Sequence, residues 1–440
     1  MPDNISKLRG TVCDIIEDAF DELAAIGDDI FEHPELGFRE RRTAGIVADY
    51  LRGLGLEVRT GLAVTGVKAV IRGARPGPNL AIIAELDSVV CSKHPQADRE
   101  TGAAHACGHN SEIAALLGAA KGLVESGAEK ELCGSVTILA VPAEECIDFD
   151  YRFRLMREGK IAIPSGKPEL VRLGEFDGVD LAMMTHASPE RPCSVFNVGN
   201  TSLGFVTKDV TFFGKASHAG AAPFDGINAL NAAMLAIMGF HVNRETFRDS
   251  DKVRVHPVVL SGGEVINTVP DRVRIQLMVR AANIPAMHDA CKKVDRSIEG
   301  ACTTVGASCE IDDLPGYLPM MESAVFNGII EREIRGLFGE NSVTHDEVSF
   351  GSSDMGDISQ LIPSVHIMHG GFSGGLHRPE FRITDKHAAY IDPAKALATT
   401  ALALLANGAA EADRVIKAFA PGLDKEKYLA MVTPKSRDQH

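Results

Sequence analysis

Apolar residues at Ile15, Ile16, Phe20, Leu23 and Ala24 recur at helical spacing and predict an amphipathic helix over residues 5–28. A polar stretch punctuated by Pro34 and Gly37 follows, and a second helix is predicted over 41–54, closed by Gly55. Val67–Ile71 and Leu80–Ala84 are short apolar runs between Gly/Pro clusters and read as strands. Residues 112–127 carry the small-and-leucine pattern of a buried helix, Ser135–Pro142 reads as a strand buried on both faces, and Leu181–Thr185 as another. The rhythm changes near residue 202. Phe205–Phe213 alternates, a helix is predicted at 226–243, strands at 256–261 and 272–280, a helix at 284–305 and a strand at 307–312. That β-α-β-β-α-β order is the ferredoxin-like signature. A helix at 322–337, an apolar stretch at 361–369 and a long Ala/Leu helix at 392–419 resume the first rhythm, and the polar tail beyond 421 is expected to be loosely held. The expected fold class is α/β with a mostly parallel sheet, interrupted by an inserted ferredoxin-like α+β domain. The expected boundaries are 1–200 and 315–440 for the interrupted domain and 201–314 for the insertion.

Composition narrows the function classes. The chain has 440 residues, with 45 Lys+Arg against 60 Asp+Glu and a formal net charge of −15. This balance argues against a nucleic-acid binder, which needs a basic footprint, but leaves room for a small anionic substrate in a locally positive pocket. No apolar run is long enough to span a membrane, so no membrane partner is expected. The N-terminus lacks an apolar secretory core. Nine scattered cysteines form no CxxC pair, which points to a reduced, cytoplasmic protein.

The chemistry gathers in short clusters near the ends of apolar runs or in Gly-containing loops, where open α/β sheets collect ligands. Cys107 and His109, separated by Gly108, can address one metal from a tight loop. Glu144-Glu145 follows the strand ending at Pro142, and such a pair can divide metal ligation from proton handling. Asp87 closes Glu85-Leu86-Asp87, His186 ends a short strand, and His377 follows the glycine-rich run Gly370–Gly375. In the insertion, His218 sits in Ser217-His218-Ala219-Gly220, Asn267 follows Gly262-Gly263, and Arg280 ends a strand where it can clamp a carboxylate. Taken singly, each cluster is also compatible with an ordinary structural role.

Together and in order, these strings resemble the M20 family of metallopeptidases and amidohydrolases, especially its aminoacylase and amidohydrolase branch. The matching strings are His33-Pro34-Glu35-Leu36-Gly37, Ala84-Glu85-Leu86-Asp87, His105-Ala106-Cys107-Gly108-His109-Asn110, Pro142-Ala143-Glu144-Glu145, Ala216-Ser217-His218-Ala219-Gly220, Asn228-Ala229-Leu230, Gly262-Gly263 with Asn267, and Gly375-Leu376-His377. The resemblance implies a zinc-peptidase-like catalytic domain and a lid that forms a homodimer or higher homo-oligomer. It implies one or two divalent ions, zinc or manganese foremost, with cobalt or nickel also accommodated. Cys107, His109, Glu145, His186 and His377 are then the metal ligands, and Glu144 is the general base that activates the attacking water. Asp87 orients a ligand imidazole, His218 stabilises the oxyanion, commonly in the partner subunit's site, and Asn267 and Arg280 hold a substrate carboxylate. The implied reaction is metal-dependent hydrolysis of a C–N bond other than an ordinary peptide bond, in an N-acyl amino acid or a similar carboxylate-bearing small molecule.

Several positions depart from the branch. Asn110 and Glu112 stand where Asp and His are usual, and Glu85 replaces the first strand-end Asp. The segment after Glu145 is longer, aromatic and charged, with Phe149, Tyr151, Arg152, Phe153 and Arg154, and is expected to shape the pocket for a substrate outside the usual N-acyl amino acids and aminobenzoyl conjugates. A known relative on this scaffold removes an amino group from 5-nitroanthranilate, and the sequence leaves that aminohydrolase reaction open as an alternative. Readings of other classes are a non-catalytic metal-binding protein, which an intact Glu144 opposes, and a structural zinc protein, which chelation would unfold.

Overall fold

The computed structural model describes residues 2–345 and 351–434. It divides into two compact units. The first comprises residues 2–201, 321–345 and 357–429; the second comprises 202–320, 351–356 and 430–434. The second unit thus extends past 314, because residues around its first strand are tied to later ones. Phe205 N–H donates to Tyr317 O at 2.8 Å, Met320 N–H to Ser202 O at 3.1 Å and Leu203 N–H to Gly351 O at 3.0 Å.

The first unit is built on an eight-stranded sheet in the order Val58–Leu62, Gly66–Arg72, Cys133–Val141, Arg75–Glu85, Leu181–Ala187, Ser364–His369, Phe196–Asn197, Val343–Thr344. The four strands from Cys133–Val141 to Ser364–His369 run parallel. Antiparallel pairings flank them on both sides. Leu181–Ala187 is buried along its whole length and Ile82, Ile138, Met183 and Ile367 are fully buried, as a parallel sheet covered on both faces requires. The helix His109–Glu125 is buried almost throughout and packs against Asp392–Leu405 and the two N-terminal helices.

Three expected elements differ. The helix expected over 5–28 is two, Pro2–Asp18 and Phe20–Glu32, divided at Ala19. The helix expected over 392–419 breaks into Asp392–Leu405 and Ala410–Ala418, since Asn407, Gly408 and Ala409 all adopt positive φ. The tail is not loose: Lys425–Val432 is helical, and Tyr428 is fully buried with its hydroxyl donating to Asp357 Oδ1 at 3.1 Å. One aromatic side chain anchored to a buried carboxylate outweighs the polar composition around it. Among the described residues, no helix is long and apolar enough to cross a membrane.

The second unit is a four-stranded antiparallel sheet in the order Arg254–Ser261, Arg272–Ala281, Gly204–Phe213, Ser308–Pro315. The helices Ala229–Val242 and Ile284–Val305 pack against it. This is the ferredoxin-like order expected from the sequence.

Candidate metal centre

The centre is assembled at the carboxyl ends of the parallel strands in the first unit. Glu85 ends its strand opposite Val141, which leads into Pro142-Ala143-Glu144-Glu145, and His186 lies one residue before the end of Leu181–Ala187. Cys107 and His109 come from the start of the buried helix. Gly108 between them has φ +92°, and a Cβ there would lie 2.4 Å from the Ala187 Cβ, so only glycine lets both donors turn to one side. His377 also has positive φ, 58°, in its glycine-rich loop, and its N–H donates to Ala106 O at 2.7 Å.

Cys107 Sγ lies 3.4 Å from His186 Nε2 and 3.2 Å from His377 Nε2, and His377 Nε2 lies 3.1 Å from Glu145 Oε1. Donor atoms of Cys107, His109 and His186 fall within 4.8 Å of one another, as do those of Cys107, Glu145 and His377 and those of His109, Glu144 and Glu145. His109 Nε2 and Glu145 Oε1 are buried without a well-formed hydrogen bond among the described residues. Such separations suit donors arranged around a metal at about 2.0–2.3 Å, and a thiolate, imidazoles and a carboxylate suit zinc or a similar divalent ion. The residues present therefore fit a divalent metal. All five expected ligands converge here.

Electrostatics agree. Burial, and then Glu145, push the Cys107 thiol up, so its thiolate needs a neighbouring cation. Burial, and then His109, hold His186 down at about 4, leaving a neutral imidazole suited to ligation. Burial would raise Glu145, but adjacent His377, with His109 and Cys107 behind it, holds the carboxyl below its ordinary value.

Behind the donors, three groups hold the Glu144-Glu145 loop. Asp87 accepts the N–H of Glu144 at 3.1 Å and of Glu145 at 3.0 Å, one on each carboxylate oxygen. Its carbonyl lies 2.9 Å from His109 Nδ1, which fixes the ring and leaves Nε2 for a ligand role. Glu40 accepts the N–H of Ala143 at 2.8 Å and the hydroxyl of Thr65 at 2.6 Å. Burial, and then Asp87, raise Glu40 to about 8. Ala143 itself has φ 55°, a left-handed backbone that an alanine adopts only under constraint. Arg152, fully buried, donates to the carbonyls of Ala143, Glu145 and Pro164. The aromatic, charged segment after Glu145 thus contains a brace for this loop, carried on the helix Phe149–Arg157, and Arg152 is spent on backbone carbonyls.

Sequence reasoning missed several buried groups. Lys167 Nζ pairs with Glu85 Oε1, while Glu85 Oε2 lies 3.0 Å from His109 Nε2. Glu112, seen in the sequence only as a departure, accepts the Glu85 N–H at 3.1 Å. The legible sign of Lys167 is its setting between Ile161, Ile163, Leu170 and Val171, which marks a buried segment. His105, His366 and His369 are also buried, and both ring nitrogens of His105 and the Nε2 of His366 and of His369 lack hydrogen-bond partners among the described residues. The His366 ring is 5.6 Å from that of His186.

In the second unit, His218 is exposed and its Nδ1 accepts the N–H of Gly220 at 3.2 Å and of Ala221 at 3.1 Å. Asn267 is its neighbour through the backbone, Ala219 N–H donating to Asn267 O at 2.9 Å. Arg280 is not brought to them. It lies at the far end of Arg272–Ala281, its Nη1 donating to Ser352 Oγ at 2.8 Å, and eight residues of strand separate that end from the near one, roughly 26 Å.

The chain matches the profile described as Peptidase family M20/M25/M40 over residues 81–403. It belongs to that family and is a hydrolase. Thermostable carboxypeptidase 1 of Saccharolobus solfataricus is 27% identical over 384 residues, covering 84% of this chain and 89% of its own. N-acetylcysteine deacetylase of Bacillus subtilis is 27% identical over 368 residues, covering 81% and 90%. Among solved structures, the YXEP protein of Bacillus subtilis, described as a dinuclear metal binding peptidase from the M20 family, superposes with a TM-score of 0.71 at 24% identity, covering 88% of this chain and 99% of that one.

Proposed function

We propose that the protein hydrolyses the amide C–N bond of an N-acyl amino acid or a similar small carboxylate-bearing substrate. The observation that carries this reading is the buried convergence of Cys107, His109, Glu145, His186 and His377 with Glu144 beside them. These residues would hold a divalent ion, zinc or manganese foremost, which when bound would supply a water of lowered pKa and polarisation of the scissile group. Glu144, on the loop held by Asp87, takes the proton from the attacking water and returns it to the leaving nitrogen. His218 donates to the developing oxyanion. Asn267 and Arg280 serve as substrate-carboxylate contacts. Their placement at opposite ends of one sheet keeps a single small carboxylate from meeting both in one chain, which supports a homodimer in which one of them comes from each copy.

The edge strand Arg254–Ser261 exposes Val258, Val259 and Leu260, and the helix Ala229–Val242 exposes Met234, Met238 and Val242. A second copy covering these residues accounts for so much exposed apolar surface. Sedimentation should show a dimer, and a fully active monomer would contradict it. We read the protein as cytoplasmic, since no disulfide joins its cysteines among the described residues.

The relative that deacetylates N-acetylcysteine supports an acyl amide as substrate. Within the segment after Glu145, Arg152 is taken up in bracing the loop, which is compatible with an ordinary N-acyl substrate. The deciding experiment is a panel of N-acyl amino acids, dipeptides, aminobenzoyl conjugates and 5-nitroanthranilate on metal-loaded protein, repeated with Glu144→Gln. Turnover of an N-acyl amino acid should fall by roughly 10²–10⁴-fold in the variant, with metal content and melting temperature kept. Selective turnover of 5-nitroanthranilate would replace the amidase reading with the aminohydrolase one. Undiminished activity in the variant would remove Glu144 from the mechanism.

A further inference from the structure

Beside the five converging donors lies a second set that shares His109 and His186 with them and adds Glu85 and Glu112, to which the reaction outlined above gives no role. Donor atoms of Glu85, His109, Glu112 and His186 also fall within 4.8 Å of one another, and all four residues are buried. By donor chemistry, two carboxylates and two imidazoles suit a second divalent ion. The structure instead presents an amino group: Lys167 Nζ is fully buried and pairs with Glu85 Oε1. Glu85 is then engaged on both sides, since its Oε2 faces His109 Nε2 at 3.0 Å.

Lys167 is delivered there by the segment after Glu145. The helix Gly166–Arg172 starts against the strand end at Pro142, so closely that a Cβ on Gly166 would lie 1.6 Å from the Pro142 carbonyl oxygen. The Lys167 side chain is thereby committed to the interior, where an ammonium requires an anionic partner. A divalent ion ligated by Glu85 would have to expel that ammonium or sit beside it at like charge in a medium that screens poorly.

We propose that Lys167 acts as a built-in cation that takes the place of a second metal ion, so that each chain holds one divalent ion, at the Cys107, His109, Glu145, His186 and His377 donors. The inference rests on the metal-site reading above and concerns the ion count alone.

The test is metal stoichiometry, read independently of activity. Metal-free full-length protein is titrated with Mn²⁺ by calorimetry, its content after desalting is measured by mass spectrometry, and the loaded protein is examined by electron paramagnetic resonance. The wild type should bind one ion per chain and give the spectrum of an isolated Mn²⁺. Lys167→Arg, which keeps the charge, should do the same. Lys167→Ala should bind two, with a spin-coupled spectrum. Two coupled ions in the wild type would overturn the proposal, and so would a folded Lys167→Ala that still binds one. If Lys167→Ala does not fold, the wild-type count and spectrum decide. A wild type that binds no ion would strike the metal-site reading itself.

Discussion

Asp87 reaches three parts of the centre at once, two through its carboxylate and one through its backbone carbonyl. Each carboxylate oxygen takes a backbone N–H from a separate residue, Glu144 and Glu145, and its carbonyl fixes His109. One residue thus sets the direction of the proposed base, of one ligand carboxylate and of one ligand imidazole. Asn has nearly the same shape, but one carboxylate oxygen becomes an NH₂ that faces a donor. Asp87→Asn should therefore lose one charge-assisted hydrogen bond and oppose two donors, at about 2 kcal/mol. Urea unfolding measures that loss. Because the loop carries Glu144, kcat should fall more than KM rises. An unchanged kcat in a destabilised protein would confine Asp87 to folding.

At the scale of elements, the parallel strands and the inserted α+β order were legible because their apolar periods are long and uninterrupted. The five ligand candidates were legible because their residue types sit at strand ends or glycine turns. The helices Phe149–Arg157 and Gly166–Arg172 were not, because their roles are inverted relative to composition. Arg152, Lys167 and Glu169 are charged and yet buried: Arg152 donates to backbone carbonyls, Lys167 pairs with Glu85 far away in sequence, and Glu169 accepts the N–H of Ala162 and Ile163 and pairs with Arg172. No local period encodes such pairing. The lesson can be tested on Arg152. Arg152→Met fills comparable volume but leaves the Ala143, Glu145 and Pro164 carbonyls without this donor. A loss of about 3 kcal/mol is expected from these charge-assisted bonds. Ala143 would also be freer to leave its left-handed conformation, so activity should drop while affinity for a competitive substrate analogue changes little. Equal loss of affinity would instead place Arg152 in substrate binding.

For the whole molecule, the buried histidines define an acid limit. Burial, and in the second place His109, lower His105 to about 3; burial, and then His186, lower His366 to about 3; burial dominates in lowering His369 to about 4. Each folded value lies below the ordinary 6.5, so the unfolded chain binds these protons first. Their contribution to stability is complete above pH 6.5 and is lost as pH falls through the range from 6.5 to about 3. Glu40 works in the opposite direction. Its folded value of about 8 exceeds the ordinary 4.5, so its contribution is complete below 4.5 and is lost as pH rises towards 8. His105 isolates the effect, since among the described residues both its ring nitrogens lack hydrogen-bond partners and it is not one of the converging donors. His105→Phe keeps a planar ring and removes the titration. Between pH 6.5 and 4 the wild type should lose on the order of a few kcal/mol more than the variant, one pKa unit being about 1.4 kcal/mol. Urea midpoints measured across that range test it, and parallel profiles for the two proteins would show that His105 is not held neutral by the fold.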